Sequence, residues 1–555
     1  MTDDFARDDP TDHPNRRRFL AALGALGVAG LAGCGGDGDS TASPTDTATA
    51  TDTVATTSTD TTTGTETTAG TTTTGGGTPT DTVTDTPTPT VPPEQRPPTV
   101  TPSGIDVGAA PPDDAEVLFG GDVDTLEKWT GDWIVADDGS YFEIDVGSGD
   151  IQTQEPHGDC HLHIEFSPDA STGSGQSQGN SGVFMENRYE FQVLNNYEND
   201  TYSQGMAGAY YAQSPPLVDP ARPPEEWQAY DIIWRGPRFE GGEVVHPGKA
   251  VQIFNGVVTQ VHLNVAGPTT ASLNPYQPHD RGGPLGLQDH GDSANRYRNV
   301  WYRPLPEPER QPSFRPDYDD DYQQTAYHPW PPEYPGVTSE AEGVTPVDAI
   351  DPGTWPDDPP GDATVLLSGG DLSNWEGPDG GSPGWTEEDG YVAVDPDAGN
   401  IRTAETFGDG QYHVEWRIPE DIDGPGNSGV LFANRYGIQI RDNHERVSRP
   451  THWAGAYTDQ GAPLANAVRS PGEWQTFDVV WEGPRFGDDD TLERPARVTV
   501  LLNGVVVQDR FYPKGPNRDD SAVVYTPHDP NAPLGLQGSD DPVHFRNVWY
   551  RPWYQ

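Results

Sequence analysis

The chain has 555 residues, with 88 Asp and Glu against 32 Lys and Arg and a formal net charge of −56 at pH 7. So acidic a balance excludes nucleic acid as a partner, because phosphate binding needs clustered Lys and Arg. With only two cysteines, Cys34 and Cys160, a disulfide framework is excluded as well, and stability must come from packed cores.

The N-terminus reads as a targeting segment. Arg16-Arg17-Arg18-Phe19-Leu20 precedes a Gly/Ala-rich apolar run to Ala32, the pattern of a twin-arginine export signal, and Leu31-Ala32-Gly33-Cys34 resembles a lipobox with Cys34 as the lipidated residue. The expected signal is 1–33. From 34 to 110 the chain is dominated by Thr, Ser, Asp, Gly and Pro, too polar to bury a core, and reads as a stalk. The expected location is therefore extracellular, on a cell-surface lipoprotein held to the membrane by an N-terminal lipid. Lysine is confined to Lys128, Lys249 and Lys514, and this acidic, lysine-poor composition resembles that of extreme halophiles, where salt screens self-repulsion.

Beyond the stalk the chain repeats itself. Asn180-Ser181-Gly182-Val183-Phe184 returns 247 residues later as Asn427-Ser428-Gly429-Val430-Leu431, and Pro284-Leu285-Gly286-Leu287-Gln288 returns 249 residues later as Pro533-Leu534-Gly535-Leu536-Gln537. A period this long is a duplicated domain rather than a solenoid unit. The expected domains are 111–306 and 361–555, joined by a Pro/Asp-rich linker at 307–360. Both read as strands and turns without long helical patterns. Cys160–Phe166 alternates as a half-buried strand, with His161, His163 and Glu165 on a solvent-facing stripe that could alternatively hold a metal. Asn255-Gly256 and Asn503-Gly504 each read as a tight hairpin turn. Many antiparallel strands per repeat predict an all-β protein of two tandem sandwiches or jelly rolls.

Strand parity places chemistry on one face of the first repeat. In Tyr189–Val193 the apolar residues point one way and Glu190 and Gln192 the other; in Leu285–His290, Gln288 and His290 oppose Leu285 and Leu287. The second repeat keeps the glutamines as Gln439 and Gln537 but carries Gly437 at the Glu190 position and Gly538-Ser539-Asp540 in place of Asp289-His290-Gly291. The second domain is therefore expected to be degenerate. Trp227 and Trp474 read as core, and Asn180 and Asn427 as turn-forming residues. There is no phosphate loop, no Gly-x-Ser-x-Gly elbow and no zinc cysteine framework.

Taken in order, Asn-Ser-Gly-Val-Phe, Tyr-Glu-Phe-Gln-Val-Leu, Gly-Ala-Tyr, Glu-Trp-Gln-x-Tyr-Asp, Leu-Gln-Asp-His-Gly and Arg-Asn-Val-Trp-Tyr-Arg-Pro resemble the 3-keto-disaccharide hydrolase domain. The resemblance covers most of 114–305 and, more loosely, 362–553. It implies concanavalin-like jelly-roll sandwiches and a carbohydrate substrate oxidised at C3, supplied by a sugar 3-oxidase. It also implies cleavage by C2 proton abstraction, elimination and hydration. On that reading His290, Glu190 and Arg188 are the expected catalytic residues, with Gln192, Gln288, Asp289, Tyr210 and His279 binding substrate. No cofactor is certain; a divalent metal ion is the alternative to Arg188 as electrophile. The rival function is a non-catalytic, tandem carbohydrate-binding surface lipoprotein, since sandwiches host both roles.

Overall fold

The computed structural model describes residues 105, 107–121, 123–169, 173–269, 274–307, 358–444, 450–517 and 524–553. The export signal, Cys34 and nearly all of the expected stalk and linker lie outside these residues.

Each repeat folds as a two-sheet antiparallel sandwich, as the alternation predicts. In the first, Val257–Asn264, Lys249–Phe254, Gln228–Arg235, Cys160–Ser167, Arg296–Pro304, Phe142–Glu143 and Ile134–Val135 lie side by side in a large sheet, and Glu116–Phe119 also pairs with Arg296–Pro304. The facing sheet runs Trp129–Thr130, Ile151–Thr153, Gly286–Leu287, Ser181–Met185, Tyr189–Val193. The second sandwich repeats both strand orders, with Ser428–Phe432 and Tyr436–Ile440 at the same edge of its small sheet. Between the sheets of the first lie Leu162, Ile164, Phe166, Ile232 and Trp234 from one side and Val183, Tyr189, Phe191, Leu285 and Leu287 from the other. The Asn-Gly turns form as read: Asn255 and Gly256 have φ of 50° and 81°, Asn503 and Gly504 51° and 81°, the left-handed pair that a primed turn requires.

Two expectations fail. The His161-His163-Glu165 stripe does not face solvent: all three side chains are fully buried. Nor is Trp227 core; it is half-buried beneath the guanidinium of Arg298, 4.1 Å from the ring centre. The first failure has a cause beyond the strand itself. Isolated strand alternation assumes that one sheet face meets water, but here the outer faces of the two large sheets pack against each other. Ile233, Val251, Ile253 and Val258 of the first sandwich form one apolar cluster with Val480, Leu501 and Val506 of the second. Val258 donates its amide to Gln411 Oε1 across this junction (2.9 Å).

The stripe is thus an internal polar network. His161 Nε2 and His163 Nδ1 both reach Asp231 Oδ1, at 2.9 and 3.0 Å, and His163 stacks on Trp301 with ring centres 5.0 Å apart. Burial opposes charge on His163, yet Asp231 and Glu165 outweigh it and hold its pKa up to about 10. The second sandwich repeats the motif as His413, Asp478, Glu415 and Trp549. Buried ion pairs are tolerated when each partner is also hydrogen-bonded; Glu165 meets this condition through Gly108 N, Asn299 and Arg298.

Candidate active site

The open face of the small sheet in the first sandwich is built by register. Glu190 stands opposite Phe184, Phe184 opposite Gly286, Gly286 opposite Gln152 and Gln152 opposite Thr130. One row along, Gln192 pairs with Gly182, whose carbonyl accepts the Gln288 amide at 3.1 Å. Glu190, Gln192 and Gln288 therefore share a face, because residues two apart on a strand point the same way. Gly182 makes room for the acid: a Cβ there would lie 2.7 Å from Glu190 Oε1.

Glu190 is the chemically distinctive group on this face. The residue is 3% exposed, and among the described residues nothing hydrogen-bonds its carboxylate, while its backbone amide donates to Thr269 Oγ1 at 3.0 Å. Burial, and secondarily the charge of Asp150, push its pKa up to about 8. An unpaired carboxyl that exchanges its proton near neutrality suits general acid–base work. Tyr211 sits beside it, donating its amide to the Glu190 carbonyl and sharing a 2.9 Å phenol–phenol hydrogen bond with Tyr202. Gln192 Nε2 donates to Asn180 Oδ1 at 3.0 Å, while Gln192 Oε1 is buried without a partner.

The remaining predicted residues scatter. The Asp289 carboxylate accepts the amides of Gly147, Gly149 and Gly291 at 2.7–2.8 Å, and its own amide donates to Asp150, so it organises loops rather than facing a substrate. His290 lies past the short Gly286–Leu287 strand, exposed and paired with Asp292 at 3.0 Å; no hydrogen bond joins it to Glu190. Tyr210 corrects its expected role: it is wholly buried, and its hydroxyl donates to the Gly267 carbonyl at 3.0 Å. Arg188 and His279 gather elsewhere, around the turn joining Ser181–Met185 to Tyr189–Val193. Arg188 Nη1 donates to the Glu186 carbonyl at 2.9 Å, and His279 hydrogen-bonds the Tyr189 hydroxyl at 2.7 Å.

That turn contains a residue that sequence reading missed. Glu186 is buried, accepts Trp234 Nε1 at 3.1 Å, lies 3.6 Å from His279 Nδ1 and has a second oxygen without a hydrogen bond. Burial raises its pKa to about 7 despite the Trp234 bond. With His157 and Cys160 it lines a small cavity. In the second repeat, Phe407, Gly410 and Ala433 occupy the three equivalent positions. The Glu-to-Ala difference was the available signal.

The second sandwich closes its version of the Glu190 site. Asn517, where the first has Thr269, lays its amide along Gly437, accepting from its N–H at 3.1 Å and donating to its carbonyl at 3.0 Å. A Cβ on Gly437 would meet Asn517 Nδ2 at 2.8 Å. Among the described residues, no group of three or more His, Cys, Asp or Glu side chains has the geometry to hold a metal ion.

Tandem sandwiches with these sites define a carbohydrate-active protein. The chain belongs to the family of 3-keto-alpha-glucoside-1,2-lyase-like domains, which it matches twice, at residues 114–303 and 362–551. Among solved structures it is similar to a protein of Parabacteroides distasonis ATCC 8503 provisionally named a glycosyl hydrolase, with 31% identity over 42% of this chain and 97% of that one (TM-score 0.36). A second such protein of that organism has 21% identity over 35% and 100% (TM-score 0.27). The carbohydrate-binding module CBM66 of Bacillus subtilis has 15% identity over 34% and 93% (TM-score 0.18). No curated protein matches the chain.

Proposed function

We propose that the first sandwich cleaves glycosides oxidised at C3, with Glu190 as the group that moves the proton. The observation that carries this reading is the buried Glu190 carboxyl, without a hydrogen bond among the described residues, on a glutamine-rich face, its pKa pushed up to about 8 by burial and by Asp150. A C3 ketone acidifies the C2 proton. Glu190 takes that proton and the electrons pass to the C3 oxygen as an enolate. The enolate collapses to re-form the ketone, the C1–O bond breaks, and the departing oxygen receives the proton from Glu190. Water then adds across C1=C2, hydroxyl to C1 and hydrogen to C2, so the net change is hydrolysis. The Tyr211–Tyr202 pair and Gln288 are the nearby donors for the keto oxygen. Direct glycoside hydrolysis would need two carboxylates flanking the bond; Asp289 is engaged with the amides of Gly147, Gly149 and Gly291, and Asp150 accepts the Asp289 amide.

The test is release of monosaccharide from 3-keto-disaccharides by the protein, in high salt, beside the unoxidised sugars. Cleavage of the keto forms alone is expected, and Glu190→Gln should lose 10²–10⁴-fold in rate. Turnover unaffected by that substitution would end the assignment. Absence of cleavage with any keto-sugar would favour the tandem carbohydrate-binding reading. The same proposal places the protein outside the cell on a lipid anchor at Cys34, so Cys34→Ser should move it from the membrane fraction to the medium.

A further inference from the structure

The second sandwich carries an arginine with no carboxylate partner among the described residues, where the matching corner of the first pairs its arginine with one. Arg417 ends the Gly410–Arg417 strand, with its guanidinium carbon 4.6 Å from the ring centre of Trp474 and 5.1 Å from that of Tyr391. Its Nε and Nη2 reach His544 Nδ1 at 3.3 and 3.0 Å. Burial, then the Arg417 charge, push the His544 pKa down to about 4, so the imidazole accepts as a neutral ring. All four side chains are half-buried and reach the surface. The far side of Trp474 is taken by Arg546, which is itself paired with Glu415 at 2.6 Å. Among the described residues no carboxylate lies within ion-pair distance of Arg417.

The first sandwich shows what was removed. At the same register, Arg417 opposite His544 is replaced by Ser167 opposite Arg296. Arg296 lies over Tyr141 (5.3 Å) and is paired with Glu143 at 2.8 Å, with Glu225 adding to the field upon it. Glu143 becomes Ala393, opposite His544 as Glu143 is opposite Arg296, and Glu225 becomes Gly472 by alignment of the Glu-Trp-Gln motifs. Glu420, whose side chain covers Gly472, makes no ion pair with Arg417. Glu420 thus restores one carboxylate beside Gly472, but among the described residues none pairs with Arg417, in a chain with 88 acidic residues against 32 basic ones. With Nε and one Nη2 hydrogen turned to His544, a guanidinium fixed on ring faces keeps its Nη1–Nη2 edge for a planar or tetrahedral anion.

We propose that Arg417, framed by Trp474, Tyr391 and His544, is a binding site for an acidic sugar residue, one carrying a carboxylate or a sulfate. The anion pairs with the guanidinium fork, while the rings fix its orientation and shed its water. The site is independent of the Glu190 chemistry, so either reading can fail without the other. It makes the second sandwich the element that holds the protein on an acidic polysaccharide.

The experiment is calorimetric titration of the full chain, in salt high enough to screen its net charge. The ligands are an oligogalacturonate, a sulfated oligosaccharide and an uncharged oligosaccharide of equal length. One or both acidic ligands should bind and the neutral one should not; the two acidic arms tell carboxylate from sulfate. Arg417→Ser, which installs the residue of the first sandwich, should weaken binding tenfold or more. Arg417→Lys, which keeps the charge but not the fork, should lose part of that, and Glu190→Gln should lose none. The proposal is overturned if neither acidic ligand binds, if the neutral one binds equally, or if both Arg417 variants bind as the parent does.

Discussion

Arg235 of the first sandwich donates Nε to Asp509 of the second at 2.7 Å, both side chains being almost fully buried. The duplicated position of Arg235 is Glu482, which returns the contact in the opposite sense by pairing with His262 of the first sandwich. One junction is thus tied by a buried ion pair and by a His262–Glu482 hydrogen bond, because burial and the Arg497 charge push the His262 pKa down to about 4. Removing one partner of the ion pair leaves the other buried and uncompensated. Asp509→Ala should therefore cost about 3 kcal/mol in denaturant unfolding of the whole chain, more than a surface pair, worth about 0–1 kcal/mol, would. A loss below about 1 kcal/mol would mean that Arg235 is satisfied by Asp159 and the Pro306 carbonyl alone.

The same junction bears on domain independence. Ile233, Val251, Ile253 and Val258 are covered by the second sandwich, and a bared apolar patch invites association. The separate segment 111–306 should elute as an oligomer or aggregate, whereas the joined pair should not; light scattering on both decides this.

Glu190 sets activity and stability against each other. Its pKa rises from 4.5 to about 8 on folding, so between those values the native state binds more protons than the unfolded one. Stability must then fall as pH rises through that window. A carboxylate base works in the opposite direction, and its rate should climb toward a plateau above about pH 8. Unfolding free energies and kcat/KM measured from pH 5 to 9 should show the two trends crossing. Glu190→Gln should flatten the stability slope that this residue contributes, leaving the smaller one from Glu186, whose pKa is raised to about 7.

Asp231 lies under the opposite rule, and its partner His163 under the same rule as Glu190. Asp231 is brought down to about 2 although burial opposes it, because His163 and His161 face it. Its contribution is present above about pH 4 and is lost as pH falls toward 2. His163, raised to about 10, contributes fully below about 6.5 and loses that as pH climbs toward 10. Asp231→Asn should destabilise by roughly 3–5 kcal/mol at pH 6, by leaving His163 charged and short of its nearest anion. Histidine NMR should find His163 still protonated at pH 8 in the parent protein; a neutral ring there would contradict the ion-pair account.

What the sequence revealed follows physical locality. Parity along Tyr189–Val193 places Glu190 and Gln192 together because two residues on one strand fix their own relation, and Asn255-Gly256 encodes its turn through φ alone. The duplication exposed the Glu190-to-Gly437 difference directly. By contrast, His290 was read as continuing a strand that stops at Leu287, since a turn held by Asp289 to Gly147 and Gly149 depends on residues 140 positions away. The burial of His161 and His163 is invisible for a similar reason: their partners Asp231, Glu165 and Trp301 come from far along the chain or from a covered sheet face, and no alternation pattern reports what covers a sheet.

The net charge sets how stability responds to salt. With −56 spread over 555 residues, like charges repel across a compact surface, and most of that repulsion acts through solvent, where the Debye length shrinks from about 10 Å at 0.1 M to about 3 Å at 1 M salt. The ion pairs that hold the core, such as Arg235–Asp509 and His163–Asp231, are nearly inaccessible and are screened far less. Added salt should therefore remove the cost and keep the gain, so Tm should rise steadily from low to molar NaCl or KCl. The rise should persist in Asp509→Ala, offset downward but parallel, because that pair is not what salt acts on. A melting temperature independent of salt, or one that falls with it, would show that exposed attractive pairs dominate the surface instead.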